Sequence, residues 1–130
     1  MMPLLRRLAQ SSVTHVLFAF VAMGGWAVLA NINHSLQRAL LAGVVQGGLS
    51  AGLTYVLKTV IERLSKQFKG SAGLWAPPLI ACLASTAVLI SIHVLSGTPE
   101  ILKTIAVPLA VSTSYAAVYN YFLYQKRIEA

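Results

Sequence analysis

Four stretches of this chain, residues 13–30, 39–57, 74–96 and 104–125, contain no Asp, Glu, Lys or Arg. Crossing the hydrocarbon of a bilayer takes about 20 predominantly apolar residues, so each stretch is long enough to do it. Backbone groups in lipid must be hydrogen-bonded within the protein, and an α-helix satisfies its own. The pattern therefore predicts an all-α integral membrane bundle of four transmembrane helices. Composition agrees: 57% of the residues are hydrophobic and 10% charged, whereas soluble chains carry about a quarter charged residues. A soluble enzyme domain and a disordered tail are excluded. The single Cys cannot pair within the chain, which excludes a disulfide scaffold.

A net charge of +7 is also the electrostatic footprint of nucleic-acid binding, so the placement of the charges decides between the two readings. Arg6 and Arg7 precede the first stretch, Lys58, Arg63, Lys66 and Lys69 lie near the junction of the second and third, and Lys126 and Arg127 follow the fourth. If the spans alternate, these eight share one side and only Arg38 and Lys103 fall on the other. That asymmetry predicts an N-in/C-in orientation by the positive-inside rule, in a multi-pass protein of the cell inner membrane. No aromatic-basic interleaving accompanies the charge, so nucleic acid is not an expected partner. The first stretch imitates a signal peptide, with Arg6-Arg7 before it and Val28-Leu29-Ala30 at its end. It exceeds the usual h-region of about 7–15 residues and contains Gly24-Gly25-Trp26, so an uncleaved first helix is expected.

Punctuation places the four helices at about 12–31, 36–68, 74–96 and 99–125, within a single membrane domain covering 1–130. Ser35 suits the N-cap of the second. At the next loop on that side, Gly97 suits a left-handed helix end, Thr98 a cap, Pro99 a first helical position and Glu100 the positive end of the dipole. Beyond the second span, Leu57, Val60, Ile61, Leu64 and Phe68 hold one face, while Lys58, Glu62, Arg63 and Lys66 hold the other. This predicts an amphipathic, interfacial extension, with Glu62 and Lys66 spaced for an ion pair. Pro77-Pro78 is expected near a helix start, where proline is cheap.

Inside the spans the informative residues are small or polar, because lipid tails cannot drive helices together by hydrophobicity. Gly43, Gly47, Gly48 and Gly52 form two small-xxx-small spacings and are the candidate packing residues. Gly43, Gln46, Gly47, Ser50 and Thr54 share one helical face, and Gln46 should hydrogen-bond to another helix. The face reads either as packing glue or as the polar lining of a translocation groove. The last span carries a second stripe, Pro108, Ser112, Tyr115 and Tyr119, with a kink expected at Pro108. Tyr119, Asn120, Tyr121, Phe122 and Tyr124 read as an aromatic belt beside Lys126 and Arg127.

Catalytic and redox chemistry find little support. His15, His34, His93 and Cys82 are too scattered in depth to supply three or four convergent metal ligands. There is no Asp, and the Glu residues lie outside the uncharged stretches, so the intramembrane carboxylate usual in ion-coupled transport is missing. No cofactor, metal or enzymatic activity is expected.

An offset of 64 residues aligns Ala42 with Ala106, Ser50 with Ser114, Tyr55 with Tyr119 and Arg63 with Arg127, the pattern of a duplicated helical hairpin. The last span ends Asn120-Tyr121-Phe122-Leu123-Tyr124-Gln125-Lys126-Arg127. With the size and the four spans, that ending resembles the GtrA-like family of small four-helix membrane proteins, whose last helix often closes with Asn, an aromatic residue and a basic pair. The resemblance implies a role in moving polyprenyl-phosphate-linked sugars across the inner membrane. It further implies a rim of Arg6, Arg7, Lys126 and Arg127 that attracts lipid phosphate. Gln46, Ser50, Thr54, Ser112, Tyr115 and Tyr119 would then pass the head group. The expected function is a small transporter-like protein for a lipid-linked sugar or anionic lipid, with membrane lipids as partners. The alternative is a non-catalytic accessory or assembly subunit, bound to a second copy or to a partner membrane protein.

Overall fold

A computed structural model describes residues 2–10 and 12–130. The described residues form five helices and no strand: α1 Met2–Gln10, α2 Ser12–Ala30, α3 Leu36–Ser65, α4 Ala72–Ser96 and α5 Ile101–Glu129. The last four are long and apolar enough to cross a membrane and coincide with the four expected spans. They run up and down, so that both chain ends and the α3–α4 turn lie at one end of the bundle, the terminal end. Turns 31–35 and 97–100 lie at the other, the loop end. Where the sequence suggested only a positive flank, α1 is an amphipathic helix of 9 residues with Arg6 and Arg7 exposed.

Helix α3 is the organising element and packs against α2, α4 and α5. Its 30 residues make it about 45 Å long at 1.5 Å per residue, so it projects beyond a hydrocarbon core of about 30 Å. It begins at the expected cap, where Ser35 Oγ accepts the Arg38 N–H at 3.3 Å. It ends at Ser65, three residues short of the expected 68. Lys66 closes it by donating its backbone N–H to Arg63 O at 3.3 Å.

Contact between α2 and α3 is made backbone to backbone. A Cβ added to Gly24 would lie 2.8 Å from Gly43 O, and one added to Gly47 would lie 2.9 Å from Phe20 O. At Gly43 it would meet Val28 Cγ2 at 2.5 Å. Any larger residue at these positions forces the helices apart. Gly48 and Gly52 play no such part: they are exposed, and an added Cβ would meet nothing within 4 Å.

The α4–α5 hairpin corrects two expectations. Gly97 adopts the left-handed conformation, with φ 72°, but Thr98 does not cap α5 and Pro99 is not its first residue. That helix starts at Ile101, and its cap comes from the turn that follows α2: Asn31 Oδ1 accepts the Glu100 backbone N–H at 2.9 Å. Asn31 Nδ2 donates to Ala27 O at 2.8 Å and Thr104 Oγ1 at 2.7 Å, so one buried amide locks the end of α2 to the start of α5.

The proline pair is less cheap than expected. Helix α4 begins at Ala72, which puts Pro77 and Pro78 beyond the first turn. Each removes an N–H that would have bonded to the carbonyl four residues earlier, and those carbonyls belong to Gly73 and Leu74. Asn120 Nδ2 on α5 donates to both, at 2.9 Å each. The two prolines and the asparagine form one unit. Nearby, Leu57, Ile61, Ala81 and Ala116 form a small apolar core with Leu64 and Leu123 packed against it. Most other large apolar side chains are exposed on the flanks, the arrangement of a bundle solvated by lipid.

Candidate functional site

Helices α2 and α5 are tied together by hydrogen bonds at the loop end. There Trp26 Nε1 donates to Lys103 O at 3.0 Å, beside the Asn31 contacts. Toward the terminal end a cleft of about 460 Å³ opens between α2, α3 and α5, within the usual range of ligand pockets, roughly 300–1,000 Å³. His15, Phe18 and Met23 line it from α2, and Pro108, Val111, Ser112 and Tyr115 from α5. From α3 come Ser50, Thr54, Tyr55 and Lys58. Phe18, Tyr55 and Val111 are 72%, 73% and 54% exposed, so the cleft opens on the lipid flank of the bundle.

Four of the six groove candidates, Ser50, Thr54, Ser112 and Tyr115, therefore meet in one cleft. The other two lie outside its lining. Gln46 is fully buried and occupied: its Oε1 faces His93 Nε2 at 2.8 Å, and its Nε2 donates to Ser50 Oγ at 2.8 Å. It hydrogen-bonds across to α4, as its mid-span position required. Tyr119 stacks edge-on against Tyr115, ring centroids 5.9 Å apart, and donates its hydroxyl to Glu62. Glu62 thus belongs to the α3–α5 contact, and no Glu62–Lys66 ion pair forms among the described residues.

The four candidate rim residues lie outside the lining of this cleft. Arg6, Arg7 and Lys126 are exposed but do not line the cleft. Arg127 is turned back on α3, donating to the Ser65 carbonyl and, at 2.9 Å, to Ser65 Oγ. It supplies acceptors at the end of α3 with donors and borders a separate recess of about 240 Å³ with Phe68, Lys69 and Tyr124. Lys58 and His15 are the basic side chains that line the cleft. On α5, Ser112 donates to Leu109 O at 3.2 Å and not to the Thr104 carbonyl, whose usual helical donor Pro108 removes.

Sequence reasoning missed the residue that organises the loop end. His93 is fully buried and joins Gln46 at Nε2 to Thr98 Oγ1 at Nδ1, the latter at 2.7 Å. His34 pairs with Glu100 at 3.1 Å on the surface above it. Among the described residues no three His, Cys, Asp or Glu side chains come together to hold a metal ion. Comparison with family models, curated proteins and solved structures finds no match to this chain.

Proposed function

We propose that this chain is a lipid-handling membrane protein without enzymatic activity, a small transporter in which the cleft takes the head group of an anionic lipid while the acyl chains stay in the bilayer. The observation that carries this reading is the convergence of Ser50, Thr54, Ser112 and Tyr115 with Lys58 and His15 on one laterally open cleft. An apolar body with a few polar groups and a basic edge suits an amphiphile whose tail needs no cavity of its own. The cleft opens sideways along the bundle from Met23 to His15 on α2 and is closed at the loop end by the Trp26 and Asn31 contacts, with the His93 contact to Gln46 behind it. Transfer then requires those contacts to part in a second conformation.

In this reading the terminal end faces the cytoplasm, supported by its eight basic residues against two at the loop end. The resemblance to the GtrA-like family places lipid-linked sugars among the candidate cargoes. A second reading, an accessory subunit, is favoured by Gly48 and Gly52, which present a close-packing surface that no helix uses among the described residues.

The test is anionic-lipid occupancy of the purified protein in mixed micelles, measured by native mass spectrometry. A basic residue near a membrane surface contributes about 1 kcal/mol to anion attraction, so Lys58→Gln should weaken binding roughly fivefold. Arg127→Gln should weaken it less, because its guanidinium serves Ser65. Equal losses for both would remove the cleft from the reading.

A further inference from the structure

The polar chain behind the cleft has a direction. Gln46 Oε1 faces His93 Nε2, an arrangement in which that nitrogen carries the proton and donates. Nδ1 then accepts from the Thr98 hydroxyl. The Gln46 amide donates in turn to Ser50 Oγ. Each donor points the same way, from Thr98 through His93 and Gln46 to Ser50, and aligned hydrogen bonds polarise one another.

The chain stops at Ser50 with one donor unused. Several hydroxyls in the spans donate back to their own helix, among them Thr86 to Cys82 O, Ser96 to Ile92 O and Ser114 to Ala110 O, at 2.7, 2.8 and 2.7 Å, while Thr113 Oγ1 is buried on α5 without a partner among the described residues and lines no cleft. Ser50 makes no such bond among the described residues. It is 6% exposed, and what it is exposed to is the cleft. A buried hydroxyl normally finds an acceptor, and here the space in front of it belongs to the ligand.

We propose that Ser50 is the specificity donor of the cleft, a hydroxyl aimed at an uncharged acceptor oxygen carried on the head group beyond its phosphate, with Gln46, His93 and Thr98 as positioning residues. This rests on the reading of the cleft as an anionic head-group site. Lys58 and Ser50 are two turns apart on α3, roughly 12 Å at 1.5 Å per residue, a span that the Lys58 side chain and an extended head group fill together. A head group that is only a phosphate fits the basic edge and leaves Ser50 unserved. The same four side chains can also reverse: with the proton on Nδ1 and the Gln46 amide turned over, Ser50 would donate to Gln46 and offer the cleft only lone pairs. The tautomer of His93 therefore decides which ligand oxygen or hydrogen the cleft selects.

The experiment compares phosphatidylglycerol, whose head group carries further oxygens, with phosphatidic acid, whose head group is phosphate alone. Both are titrated into the protein in mixed micelles and read by native mass spectrometry. Ser50→Ala should weaken phosphatidylglycerol about three- to tenfold, the worth of one net hydrogen bond, and leave phosphatidic acid unchanged, while Ser50→Thr should retain the discrimination. Equal effects on both lipids would overturn the inference and leave the cleft reading standing. Failure of both lipids to bind the unaltered protein would remove that reading and the inference with it. Independently, ¹⁵N spectra of His93 should show the proton on Nε2, and Thr98→Val should release it to either nitrogen. A proton on Nδ1 in the unaltered protein would reverse the chain and contradict the proposal whatever the variants do.

Discussion

Replacing Asn120 by Leu should destabilise the bundle through two carbonyls on a different helix. The Gly73 and Leu74 carbonyls have lost their helical partners to Pro77 and Pro78, and the Asn120 amide supplies both replacements at 2.9 Å. Interhelical hydrogen bonds in membranes average about 0.6 kcal/mol and reach about 1.7, while leaving a buried acceptor unsatisfied costs about 1–3 kcal/mol. Two weakened acceptors at this partly wet end of the bundle give an expected loss of about 1–3 kcal/mol. A double-mutant cycle isolates the mechanism from the cavity that Pro→Ala leaves at the fully buried Pro77. With Ala at 77 and 78 the backbone N–H groups return and serve the carbonyls themselves. Asn120→Leu should then cost much less, with a coupling energy of about 1–2 kcal/mol in reversible unfolding from detergent micelles. The same cost in both backgrounds would refute the explanation and reduce Asn120 to ordinary packing.

Gly47→Leu should cost about 1–3 kcal/mol through overpacking, while Gly48→Leu should stay within about 0.5 kcal/mol; a large effect at Gly48 in micelles would show that its face is covered by a second copy. Asn31→Ala should remove the cap of α5 and cost about 1–2 kcal/mol, whereas Ser35→Ala, an exposed cap at 3.3 Å, should cost less in the same unfolding assay. Reporter fusions at Ala130 and at Ser35 should place the first inside and the second outside, and an outside signal at Ala130 would reverse every assignment of the two ends.

The four spans were legible because thirteen charges, ten basic and three acidic, are crowded outside four stretches, and lipid leaves a charge-free stretch of that length little choice but helix. Gly43 and Gly47 were legible as a contact face, since close backbone approach needs small residues at that spacing. Their partner Gly24 was not, because which span faces which is a property of the assembled bundle. Asn31, His93 and Asn120 escaped for a common reason. A lone polar residue carries no spacing signal, and its role is set by groups left unsatisfied on another element. One signal did exist: a proline pair in α4 demands donors at the same depth on a neighbouring helix, and Asn120 is an amide at that depth. The Thr98 cap failed because Asn31, distant in sequence, already met the need, freeing Thr98 for His93. The Arg127 contact with Ser65 escaped because the end of α3 brings acceptors within its reach only in the folded chain. The polar stripes of α3 and α5 were read correctly as stripes, but only the folded chain shows that Ser50, Thr54, Ser112 and Tyr115 share a cleft while Gln46 stands behind it.

The most direct test of the account is transbilayer movement of a labelled anionic lipid in vesicles containing the purified, correctly oriented protein. The account expects movement faster than in protein-free vesicles. It should slow on Lys58→Gln and also when a disulfide between cysteines introduced at Trp26 and Lys103 holds the loop end closed, with speed restored on reduction. Rates equal to those of protein-free vesicles, with the protein folded, would contradict it and leave the accessory-subunit reading in its place.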